Sequence, residues 1–142
     1  MGSASASLLH ITKVSFLLKK SEGNLRVAEA MVNNGDFCHS SVHCGYYACL
    51  QLIKYVLGNK LGTPVVLQAG GSTHKEAQRL MFQALGKVDR NSAINFHNDF
   101  GQLRVYRLQS DYEDVEVTVT KANLAYGIAK RVYKDIKTNF LT

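Results

Sequence analysis

Apolar residues recur three and four positions apart along most of the chain, the spacing of one face of an α-helix. Leu8, Ile11, Val14, Phe16, Leu17 and Leu18 run on into Leu25, Ala28 and Met31, which predicts a long first helix ending near Asn34-Gly35. Gly23 is a candidate bend in it, and Ser21 an alternative cap for a shorter helix. From Phe37 to Leu57, the residues Val42, Tyr46, Leu50, Ile53 and Leu57 share one side, and Gly58-Asn59 closes this second and most apolar helix. Lys60 to Gly71 holds Gly62, Pro64, Gly70 and Gly71, the composition of a loop.

Thr73 and Glu76 have capping-box spacing ahead of Ala77, Leu80, Met81 and Ala84, so a short third helix is expected to stop near Gly86. A fourth begins near Asn91 and carries Ile94, Phe96, Phe100, Leu103 and Tyr106 towards Tyr112. A fifth runs from Thr118 or Thr120 to Thr138 through Leu124, Ile128, Val132 and Ile136. The predicted fold class is all-α, an antiparallel up-down bundle of four to five helices. Val115, Val117 and Val119 alternate with Glu116 and Thr118, as a short strand would. No second strand is available to pair with it, so a turn into the last helix is preferred.

One domain over residues 8–142 is expected, behind a disordered tail or cloning remnant at residues 1–7. With 46% hydrophobic and 20% charged residues, the chain suits a single globular core. No apolar run reaches the roughly 18 residues of a membrane span, so a soluble protein is expected. Cys38, Cys44 and Cys49 match neither a CxxC pair nor a zinc ribbon and fit a reducing cytoplasm. No metal or other cofactor is implied, since the sequence has no Gly-rich phosphate loop, Ser-centred elbow or ligand cluster.

Seventeen Lys and Arg against eleven Asp and Glu give a net charge of +6, which favours contact with polyanions. Late in the chain Lys130, Arg131 and Lys134 face only Asp135, either as a strip for nucleic acid or as a solvated helix face.

Three segments add a resemblance. Ser41-Val42-His43-Cys44-Gly45-Tyr46-Tyr47-Ala48-Cys49-Leu50 resembles the second-helix signature of HEPN proteins, with its Tyr-Tyr-Ala core. Ser72-Thr73-His74 opens the third helix, and Arg107-Leu108-Gln109-Ser110-Asp111-Tyr112 resembles the family's Arg-x-x-x-Asp-Tyr segment. From Ser21 onward the chain is similar to small stand-alone HEPN proteins found beside minimal nucleotidyltransferases. The resemblance implies a HEPN-like bundle that dimerises. Active members are metal-independent ribonucleases whose Arg and His, four to six residues apart, meet across the dimer. Here the pattern is broken: with Arg107 as that Arg, Asp111 stands where the His is expected, and a carboxylate is a poor general acid. Arg90-Asn91 followed by His97 does satisfy an Arg-x6-His spacing, about two turns or more earlier.

At about 100° per residue, His97, Arg104, Arg107 and Asp111 fall in one sector of the fourth helix. As a catalytic set, Arg104 and Arg107 would hold phosphate and His97 would move protons, with the ribose 2′-OH as internal nucleophile. The competing reading makes Arg107 and Asp111 an ion pair bracing the bundle or the dimer. Tyr47 and Tyr112 are candidates for stacking on bases, against the alternative of packing between helices. His43, four residues before Tyr47, either lines the same groove or is a core neighbour, and His74 reads as a capping or packing residue.

The function expected is that of a dimeric HEPN-type binding module. Its partner would be a nucleotidyltransferase acting as antitoxin, or RNA or nucleotide held in a basic groove. The alternatives are a toxin-like endoribonuclease and a degenerate domain that only mediates assembly.

Overall fold

The computed structural model describes residues 2–65 and 72–141, with side chains from Phe16 onward. The expected tail at residues 1–7 lies outside the described side chains. The elements in chain order are α1 (Gly2–Asn34), α2 (Cys38–Tyr55) running into a π-helical turn (Val56–Lys60), α3 (Thr73–Gly86), α4 (Arg90–Tyr112) and α5 (Val119–Phe140). The described residues form a helical bundle and contain no strand.

α2 is the central element and touches each of the other four helices. Its apolar stripe explains why: Val42, Tyr46, Leu50, Ile53 and Leu57 are all at most 2% exposed. Beside this stripe lies Gly45, where an added Cβ would stand 3.5 Å from Ala129 Cβ and 3.8 Å from Ala28 Cβ. Small residues therefore let α1, α2 and α5 approach closely. Polar groups tie the same crossing, Ser41 Oγ donating to the Ala28 carbonyl at 2.9 Å and the Cys49 thiol to that of Ala129 at 3.4 Å.

Ser21 does not cap a helix. It lies inside α1, fully buried, and donates to the Ala48 carbonyl at 2.6 Å. Its single proton is thereby used, so Tyr133, 2.7 Å away, donates to Ser21. α1 continues through Gly23 and ends where Gly35 takes φ 70°, with its N–H on the Val32 carbonyl.

The cap of α3 is Ser72, whose oxygen accepts from the Lys75 N–H, and Thr73 is the first helical residue. Asp89 caps α4 and Thr118 caps α5 in the same way. Residues 113–118 form an irregular link that bends at Glu113 and Asp114, as the absence of a pairing strand requires. No described helix is long and apolar enough to cross a membrane.

Candidate functional site

Arg107 is the centre of the site. The inner side of α4 is formed by Ala93, Phe96, Phe100 and Leu103, and the next position on that stripe is Arg107, only 7% exposed. A buried guanidinium needs counter-charge and acceptors. Asp111, one turn on, places Oδ2 3.1 Å from Arg107 Nε, close enough to pair but off the direction of a good hydrogen bond. Nη2 donates to the Tyr47 hydroxyl at 2.7 Å and, at 3.5 Å, more weakly to that of Tyr112. The guanidinium carbon lies 5.2 to 5.3 Å from the ring centres of Tyr46, Tyr47 and Tyr112, within cation–π range of all three. Burial by itself lowers the pKa of Arg107, but Tyr47, Tyr112 and Asp111 outweigh it and the net shift is upward. The charge is permanent.

His43 joins from α2. Its Nδ1 is 2.8 Å from the same Asp111 oxygen that faces Arg107. With the carboxylate as acceptor, Nδ1 carries the proton and Nε2 is left to solvent or ligand. The ring leans on Tyr47 at 4.6 Å between centres. Exposure of the side chains rises outward, from 9% at Arg107 to 17% at Asp111 and 47% at His43.

The first turn of α3 adds His74. Its Nδ1 lies 2.7 Å from the Tyr46 hydroxyl, and its ring stacks on Tyr46, which stacks in turn on Phe100. Burial first, then Arg107, Lys54 and Arg104, hold the pKa of His74 below its usual value, so it is neutral at pH 7. Burial pushes Tyr46 up to about 12 against the opposing pull of Arg107 and Arg104, and its phenol stays protonated. When Tyr46 donates to Nδ1, the His74 ring proton sits on Nε2.

Five of the anticipated residues, Arg107, Asp111, His43, Tyr47 and Tyr112, thus meet in one network, and Arg104 borders it through its field on Tyr46 and His74. His97 does not join them. Ten residues before Arg107 on the same helix, it is displaced by about 15 Å along the axis and packs against Phe82 at 5.2 Å between ring centres. The positive residues of α5 are elsewhere too: Arg131 pairs with Asp99 at 3.2 Å, beside Lys134 and Asp135, and Lys130 lies over the Tyr126 ring. That strip is partly neutralised and separate from Arg107.

His74 and Lys54 are members that periodicity did not single out. A histidine in the first turn after a loop was visible, but its contact with Tyr46 spans 28 positions and has no local signature. No metal-ligand cluster occurs among the described residues. No protein-family model matches the chain, and no curated protein matches it.

Proposed function

We propose that the chain is a HEPN-type binding module that holds RNA or a nucleotide through phosphate, at the cluster where α2, the start of α3 and α4 meet. The observation that carries this reading is an imbalance of charge. Arg107 is matched by Asp111, but Arg104 and Lys54 act on the same His74 and have no carboxylate partner among the described residues. Burial lowers the pKa of Lys54, a sign that its ammonium is partly stripped of water and gains from an anionic partner. Tyr47 accepts from Arg107, which frees its own hydroxyl proton for a ligand oxygen, and Tyr112, 72% exposed, presents a ring on which a base can stack.

The working unit in this reading is a dimer. From Asn91 to Tyr112, no fully exposed residue of α4 is Lys, Arg, Asp or Glu. Ile94, Val105 and Leu108 stand outward there, 37 to 46% exposed, in addition to the buried stripe on the other side. A chain of net charge +6 meets a second copy with least repulsion on such a face.

The test is titration of fluorescent single-stranded RNA at several salt concentrations. Affinity should fall steeply with salt, and Arg104→Ala with Lys54→Ala should weaken binding and flatten the salt slope by about 1 to 2. Salt-independent or absent binding rejects the reading and leaves association with a nucleotidyltransferase, or assembly alone, as the module's role.

One observation favours a second reading, endoribonuclease activity. His43 has its Nδ1 fixed by Asp111 and its Nε2 free, the arrangement of a general base. Metal-independent cleavage of RNA in chelator, lost in His43→Ala and retained in His97→Ala, would establish it. Intact RNA at all protein concentrations would remove it.

A further inference from the structure

The chain carries a second surface of opposite character, one turn away from the Arg107 cluster. At the end of the bundle where α1 passes into α2 and α4 into α5, a groove of about 550 Å³ is lined by Phe37, His39, Ser110, Val115, Glu116 and Val117. Its floor is fixed, because Ser110 Oγ donates to the His39 carbonyl at 3.0 Å and Val117 packs on the core.

Three features of this groove have no internal use. The first is backbone. Glu113 (φ −103°, ψ 145°) and Thr118 (φ −73°, ψ 159°) are extended and bracket a link that bends at its start, and the N–H and C=O groups of residues 114–117 meet no partner among the described residues. Such a segment is an open edge to which another strand can add.

The second is apolar surface at the lip. Val115 is 50% exposed and Phe37 67% exposed. Phe37 also takes φ 53°, a left-handed conformation that a bulky residue seldom adopts, and offers no side-chain cap to α2. The third is charge. Asp36, Glu113, Asp114 and Glu116 are four of the eleven acidic residues of a basic chain, all exposed, and none forms an ion pair among the described residues.

We infer that this groove docks an extended, positively charged segment of a partner protein by strand addition along residues 114–117. Main-chain hydrogen bonds set the register. Alternate side chains of the guest then face Val115 and Phe37 on one side and the carboxylates on the other, because side-chain direction has a period of two in a strand. A second copy of this chain is not the occupant: its positive stripe, Lys130, Arg131 and Lys134, lies on helix α5, whose backbone groups are already paired. This inference does not depend on the phosphate reading, and either can fail alone.

The experiment is fluorescence anisotropy of the whole chain with a labelled hexapeptide of alternating lysine and valine. Three comparisons accompany it: a Glu-Val hexapeptide, the Lys-Val peptide methylated on the amides of its pairing edge, and the variants Glu116→Lys and Phe37→Gly. The wild type should bind the Lys-Val peptide and not the acidic one. Methylation should weaken binding by about tenfold, and so should each substitution. Phe37→Gly relieves the left-handed residue and leaves the fold at least as stable, so its loss of binding is not a loss of structure. Slower amide exchange at residues 114–117 in the complex would place the guest on this edge. No binding of the Lys-Val peptide, or equal affinity for the methylated peptide and for Glu116→Lys, overturns the inference.

Discussion

Arg107 shows how one residue's surroundings change the weight of a pairing that any helix can make. An i,i+4 ion pair on a helix surface contributes only about 0.3 to 0.5 kcal/mol. Here the Arg107 side chain is 9% exposed and its carboxylate partner 17% exposed, so removal of the carboxylate strands a charge in the bundle. Asp111→Asn should therefore cost about 2 kcal/mol, between the surface and fully buried cases, in urea unfolding of the wild type and variant. A cost near zero would show that water reaches Arg107 freely.

His74 gives a residue-scale signature in pH. Its folded pKa lies below the ordinary 6.5 because burial and three cations oppose protonation. Between the two values the unfolded chain binds more protons, so stability rises with pH in that window and falls as pH drops below about 6.5. His74→Gln should flatten this part of the stability profile. Neither effect could be read from the sequence, where Arg107 and Asp111 were visible as a pair but their burial, and the approach of His74, were not.

Among the helices, most of the pattern was legible beforehand. The stripes of α2, α4 and α5 repeat at the helical period, and burial followed them except at Ile94 and Leu124, which stand 43% and 55% exposed. Open or misplaced points fell at termini and at small residues. Ser21 allowed two readings, a cap or a residue inside one long helix, and Tyr133 and the Ala48 carbonyl satisfy it inside the bundle. The second helix did not stop at Leu57 but widened into a π-helical turn that ends at Lys60.

Gly45 looked like part of a family signature, and its physical role is a close helix crossing. That crossing has measurable slack. A Cβ at Gly45 would be in ordinary contact, 3.5 Å from Ala129 Cβ, so Gly45→Ala should stabilise by about 0.5 to 1 kcal/mol through its helix propensity. Gly45→Leu should destabilise. Thermal unfolding of the two variants distinguishes this slack from a rigid crossing, in which both would be destabilised.

For the whole molecule, charge is divided among faces that composition sums to one number. The net +6 conceals a cation-rich cluster at His74, a partly neutralised strip at Arg131, an uncharged outer face on α4 and an acidic end near Glu116. If α4 joins two copies, Val105→Glu places like charges across the two-fold axis. Sedimentation should then show a monomer where the wild type is a dimer, with far-ultraviolet circular dichroism unchanged. An unaltered sedimentation coefficient would put the contact elsewhere or reject the dimer.

The sequence by itself determined the helices, because their period, caps and breakers are local and act within a few residues of where they are written. It also determined that Arg107, Asp111 and Tyr112 would lie within about two turns of one another. Only the tertiary structure decided which histidines reach them. His97 shares their helix yet is carried out of reach by the rise along the axis, whereas His43 and His74 arrive from α2 and α3 through packing. Such contacts between distant positions depend on how apolar faces close over one another, and no short stretch of sequence contains that information.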